Sequence, residues 1–427
     1  MPLRDRYDNP LSTASHAARD AYDGALDALL AGAPDMVSRF EAVAAVDPGF
    51  ALGHADLSRA RLVTGDGPGA RAALADALQA ADSGGADSRE RSHINVFDLM
   101  LQGRAADALA AVRAHVADHP RDALVVQTST TVFGLIGFSG MAGREAEQLA
   151  FNAGLADAYG DDWWFLSQLA FAACEAGQTD RASALIDRSL ALQPRNAHGA
   201  HVRSHASYEA GDVEAGRRYL ADWLEDYDRS AVLHGHLSWH VALWSLQQGD
   251  DTAMWRILDA DVAPGAAQGV PLNVLTDTAS LLFRAQLAGL AVPQDRWKTV
   301  SAYARKVFPK PGLAFADFHA ALAHAMAGET EALARLREDA AGPVADLVRS
   351  LADAFDAFAA QRWAEAAAGF SHALGDHARL GGSRAQRDLL DFALLAALLK
   401  LGRAEEARRL LALRRPAQAA APLAGLH

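Results

Sequence analysis

Residues 162–194 read DWWFLSQLAFAACEAGQTDRASALIDRSLALQP, and this stretch decides the fold. Apolar residues recur at three- and four-residue spacing on both sides of Gly177, which is the period of an amphipathic helix. Ala182 stands five positions after that glycine and Pro194 seventeen after it. A small residue there lets the two helices of a hairpin approach closely, and the proline stops the second helix. Gly103, Ala108 and Pro120 repeat the spacing, and further turns fall at Gly211-Asp212, Gly249-Asp250, Gly289, Gly328 and Gly402. An Asp47-Pro48 stop belongs to the first copy, and degenerate copies lie around Ala352 to Leu374. One turn glycine marks only a helix end; a registered series marks a repeat.

The pattern is that of the tetratricopeptide repeat, whose units of about 34 residues cannot bury their apolar face alone and therefore stack. The expected fold is an all-α solenoid of stacked antiparallel helix pairs in a right-handed superhelix. It is read as one array over residues 1–427, with N-terminal repeats at 1–120, central histidine-rich repeats at 121–265, C-terminal repeats at 266–416 and a frayed Ala- and Pro-rich tail at 417–427. Leu124 to Val132 is rich in β-branched residues, yet a lone strand in a helical stack has no partner, so the stretch is read as helix. The Gly134, Gly137, Gly140, Gly143 run predicts an irregular, widened turn, without the strand-to-helix context of a dinucleotide fingerprint.

Composition narrows the function classes. With 51% hydrophobic and 22% charged residues the chain can bury a large core. Forty basic against 53 acidic residues give a formal charge of −13, with no Lys/Arg stripe to neutralise phosphates, so nucleic acid is not an expected partner. Apolar runs are cut by charges or glycine before a membrane span is reached. Cys174 is the single cysteine, and the opening Met1-Pro2-Leu3-Arg4-Asp5-Arg6 lacks an apolar leader, so a cytoplasmic location is expected. Serine-hydrolase elbows, Walker loops and paired-cysteine zinc signatures do not occur.

The residues Asp8-Asn9-Pro10-Leu11-Ser12-Thr13, Asp47-Pro48-Gly49-Phe50, Arg89-Glu90-Arg91-Ser92-His93, the pair His201 and His205, the run from His236 through Trp239 to His240, Asp277 and Asp317-Phe318-His319-Ala320 carry a further resemblance. On them the chain resembles the tetratricopeptide repeat protein 38 family over nearly its whole length. The resemblance implies the fold and a set of positions, and no reaction. Where it would place a Glu three residues after His205, this chain has Tyr208, with Glu209 one further.

The histidine pairs at 201/205 and 236/240 each share one helical face, about one repeat apart. In stacked units the first helix of each pair faces the concave groove. Counting back from the turn glycines places His198, His201, His205 and Tyr208 there, then His236, Trp239 and His240, then Trp164, Ser167, Phe171 and Cys174 with Glu175 beside them, and His93 with Phe97. Neighbouring helices pack about 8–10 Å apart, so imidazoles from two of them can meet one ion. His201, His205, His236 and His240 are thus the expected ligands of a divalent transition metal, zinc first. Glu175, Glu209, Asp277 and Asp317 are the candidate carboxylates for a general base, with His319 closing the groove from the opposite side. His93, Trp164, Phe171, His198, Tyr208 and Trp239 are the expected ligand contacts. Groove histidines that bind a ligand or one another without an ion, and plain packing histidines, remain the alternatives. Two functions follow: a closed pocket for a small molecule or short peptide, either a plain binder or a metal-dependent hydrolase-type enzyme, or an adaptor that holds a peptide along the groove. The scarcity of Lys, Arg and Asn at the groove positions favours the pocket. Homo-oligomerisation is left open.

Overall fold

The computed structural model describes residues 2–426, and it is all-α: twenty-two α-helices and no strand among those residues. The deciding stretch folds as read. Helices Trp163–Glu175 and Thr179–Leu192 pack as an antiparallel pair. Gly177 turns between them at φ 79°, a backbone region that side chains other than glycine rarely adopt, and Ala182 is fully buried at the crossing. Gly103 and Ala108 repeat both features between Ser88–Leu101 and Ala105–Asp118.

Residues cluster into two compact units. One comprises Met1–Ser139, Glu145–Val202 and Ser230–Leu233; the other comprises Gly140–Arg144, Arg203–Arg229 and His234–His427. Helix Ala197–Ala210 belongs to both, because the division falls after Val202 in mid-helix.

In the first unit the helix pairs are strapped by the N-terminal segment. Arg4 and Pro10 form an isolated antiparallel bridge, and the Asp5 carboxylate accepts from the Tyr7 and Asn9 amides. The strap is then tied to helices far along the chain: Arg89 donates to the Pro10 carbonyl, the Ser12 amide donates to Glu90, Asn9 donates to the Arg121 carbonyl and Arg6 pairs with Asp162 at 2.7 Å. The Leu124 to Val132 stretch departs from expectation. Only Ala123–Gln127 is helical, and irregular turns follow to the start of helix Arg144–Tyr159. There the Leu135 amide donates to the Thr128 carbonyl at 2.7 Å and the Gly134 amide to the Thr131 carbonyl at 2.9 Å, bonds of a tight turn in place of the helical ladder.

In the second unit an inner row of helices, His234–Gln247, Pro271–Leu287, Ala314–Ala327 and Ala345–Ala359, packs neighbour to neighbour. Arg384–Lys400 returns to pack on Pro271–Leu287. The inner helices are consequently buried nearly all round, whereas outer ones such as Gln294–Val307 bury one stripe, here Trp297, Val300, Ser301 and Ala304. The segment read as a frayed tail is packed over its described residues: Ala421, Leu423 and Leu426 are buried, Gln418 donates to the Tyr208 carbonyl and the Ala424 amide to the Leu287 carbonyl. Its leucines have an apolar surface to cover, which composition alone did not reveal. His427 lies outside the described residues.

Candidate metal centre

His205 and His201 stand one turn apart on the continuous helix Ala197–Ala210, so His201 is placed relative to His205 by that helix itself. His236 and His240 stand one turn apart on His234–Gln247. The His205 and His240 rings meet edge to face with centroids 4.7 Å apart, and His236 meets His240 at 5.0 Å. Trp239 stacks on His236 at 5.2 Å. One donor atom from each of His201, His205, His236 and His240 lies within 4.8 Å of the others, and the last three side chains are buried. Such a group could hold a metal ion. Tetrahedral nitrogens around one zinc, about 2.05 Å from it, are about 3.3 Å from one another, so side-chain adjustments of roughly 1 Å would close the group.

The protonation states suit a cation. Burial, followed by the charge of His236, pushes His205 down to about 3. Burial, followed by His205, His236 and Arg284, holds His240 well below the ordinary imidazole range. Both rings are therefore neutral, with nitrogen lone pairs to offer. His236 Nδ1 donates to Asp277 Oδ2 at 2.7 Å. Burial raises the Asp277 carboxyl, and its bonds with His236 and Thr276 pull it back. A carboxylate behind a ligating histidine fixes the tautomer and raises the ligand's basicity.

The other residues singled out in the sequence are scattered. Glu209 follows His205 by one turn, but its two oxygens accept from Arg415 at 2.7 and 2.8 Å and Arg384 lies at 3.2 Å, so the carboxylate is held in ion pairs rather than free as a base. Tyr208 donates to Asp388 at 2.9 Å. Asp317 accepts from the Gly312 amide, and burial lifts it to about 6. His319 is buried, donates from Nδ1 to the Phe315 carbonyl and is pushed by burial to about 3; its Nε2 has no hydrogen-bond partner among the described residues. Glu175 and Cys174 are buried in the first unit at the end of their helix.

Three expected ligand contacts have partners of their own within the first unit. His93 is clamped between two carboxylates, Nδ1 to Asp122 at 2.9 Å and Nε2 to Asp56 at 2.8 Å. Trp164 is fully buried against Tyr7 and Tyr159. His198 sits beside Gly32, and burial together with Arg59 takes it down to about 4. Phe171 packs on the His201 ring with centroids 5.4 Å apart and Trp239 on His236, so these two do adjoin the histidines. Sequence reasoning missed Arg284, a buried guanidinium whose charge reaches both His240 and His319. It also passed over His115 and His119, which share the four-residue spacing; His115 bonds Ser92 and Asp122 instead.

No protein-family model matches the chain. Similar solved structures include a monomeric mutant of IFIT1 with Gppp-AAAA, at 13% identity over 95% of this chain and 98% of that one, with a TM-score of 0.46. Naa15/Naa10 bound to HypK-THB is similar at 13% identity over 96% and 70%, TM-score 0.24, and the P58(IPK) tetratricopeptide-repeat domain at 14% over 93% and 99%, TM-score 0.20. At these scores the likeness carries nothing about what this chain binds.

Proposed function

We propose that the protein is a tetratricopeptide-repeat-type metal-binding protein, in which His201, His205, His236 and His240 hold one divalent transition ion, zinc first. The observation that carries the reading is the convergence of four imidazole donor atoms within 4.8 Å, with Asp277 bonded behind His236. Four imidazoles and no thiolate suit zinc among the available ions, and the partly exposed His201 is the ligand most readily exchanged for water or substrate. A bound zinc supplies Lewis acidity to a carbonyl or lowers the pKa of bound water.

Membership of the tetratricopeptide repeat protein 38 family, on the histidine motifs, belongs to the same reading, as does a cytoplasmic location, with Cys174 buried and in no disulfide. No helix among the described residues is long and apolar enough to cross a membrane. The adaptor reading draws support from one observation, the C-terminal segment seated on the second unit with Leu423 and Leu426 buried. Elemental analysis of untagged protein tests the main reading. The expected result is one equivalent of metal per chain, absent from the double variant His201→Ala, His236→Ala. Protein that takes up no zinc at saturation, or a variant with unchanged stoichiometry, overturns it.

A further inference from the structure

Arg284 lies on the inner helix Pro271–Leu287 of the second unit, only 6% exposed. A buried guanidinium is expected to have a carboxylate partner, because an uncompensated charge in the interior is costly. Arg284 has none within ion-pair distance among the described residues. Its two terminal nitrogens donate to the Tyr208 hydroxyl at 3.3 Å and the Ala385 carbonyl at 2.6 Å, its Cζ lies over the Phe392 ring 4.9 Å from the centroid, and its Nε–H has no acceptor among the described residues. Asp388, whose charge interacts with Arg284, is already taken by Arg415 at 2.8 Å and by Tyr208.

The same guanidinium borders a cavity of about 20 Å³, room for about one water. Leu243, Leu246, Leu287 and Phe392 make its apolar wall, and Ala421 and Leu423 of the C-terminal segment close it. That cover is tied across the cavity by Gln418 to the Tyr208 carbonyl and by the Ala424 amide to the Leu287 carbonyl. A guanidinium with no carboxylate in direct contact, an apolar wall and a cover of small and aliphatic side chains together describe the chemistry of one kind of ligand.

We propose that this cavity is the closed form of a binding site for a small apolar monocarboxylate. Arg284 takes the carboxylate through its unused Nε–H, the leucines and Phe392 take a short hydrocarbon body, and residues 417–426 move aside to admit it and supply the cover. The site is separate from the histidine group and needs no metal.

The test is the thermal unfolding midpoint of the full-length protein titrated with straight-chain alkanoates of increasing length, against the matching alkanols and against sodium chloride. The expected result is a midpoint that rises with alkanoate concentration and chain length, is unmoved by alkanols and chloride, and loses at least ~10-fold in apparent affinity in Arg284→Met, as removal of a charge-assisted bond requires. Alkanols acting as well as alkanoates would mean an apolar hole without anion recognition. Chloride acting as well would mean an adventitious ion only. A wild-type protein indifferent to all three holds water there, and a response that survives in Arg284→Met lies elsewhere. Each of these overturns the proposal, and the comparison of ligands on the wild-type protein decides even if the variant does not fold.

Discussion

Asp277 and His236 share a 2.7 Å hydrogen bond that joins two neighbouring inner helices, Nδ1 donating and Oδ2 accepting. The bond makes a carboxylate on one helix the orienting partner of a histidine of the group on another. Replacing Asp277 with Asn keeps the shape and removes the charge. Zinc affinity, measured by competition with a chromogenic chelator, is expected to fall roughly 10- to 100-fold while far-ultraviolet circular dichroism stays unchanged. Equal affinity in the variant would remove Asp277 from the centre.

His93 makes the first unit sensitive to alkali. Burial alone depresses its imidazolium, but Asp122 and Asp56 outweigh that and lift it to about 10. The unfolded value is about 6.5, so the folded pKa is the higher one. The stabilisation is then fully present below about pH 6.5 and disappears as pH climbs through about 10. Urea unfolding at pH 6, 8 and 10 should show the wild type weakening across that window. His93→Gln should give a flatter profile, lower at pH 6 by roughly 3–5 kcal/mol, because two buried carboxylates lose their shared cation.

Arg415 anchors the C-terminal segment by two hydrogen bonds to Glu209 and an ion-pair contact of 2.8 Å with Asp388. Arg415→Met leaves both acids buried without it and is expected to cost about 3–5 kcal/mol. Adding Glu209→Gln should restore part of the loss, a coupling that a double-mutant cycle reads directly. Limited proteolysis should cut near residues 416–426 sooner in the single variant than in the wild type; equal rates would show that the anchor lies elsewhere.

Gly382 accepts side-chain bonds from Arg144 and Arg387 through its carbonyl, at φ 70° and directly against the Phe315 ring. A Cβ there would fall 2.1 Å from Phe315 Cε2. Gly382→Ala is therefore expected to destabilise by about 1–3 kcal/mol through overpacking, with the left-handed backbone adding strain. A midpoint in urea equal to that of the wild type would mean the ring moves away without cost.

The repeat was legible because its determinants are local: a turn glycine, a small residue and a stop at fixed distances, as at Gly177, Ala182 and Pro194. The histidine group was legible for a related reason, since two pairs at helical spacing about one repeat apart are brought together by the stacking rule. That spacing alone is not decisive, as His115 shows by bonding Ser92 and Asp122. Long-range partners were invisible. Trp164 read as a groove residue because Tyr7, which packs on it, lies far back in the chain, and Glu209 read as a free base because Arg415 comes 206 residues later. Arg284 gave no signal, since an arginine on a helix is ordinarily solvated and only burial made it unusual.

The N-terminal strap has a consequence for synthesis. Arg6 ends on Asp162, a partner 156 residues downstream, and Asn9 on a carbonyl 112 residues downstream. At ordinary translation rates of about 5–20 residues per second, the Arg6 segment waits ~8–30 s outside the ribosome before Asp162 exists. Throughout that interval Tyr7 and Leu11, both buried in the finished protein, are without the downstream helices that cover them, so the strap closes only after the chain it ties has been made.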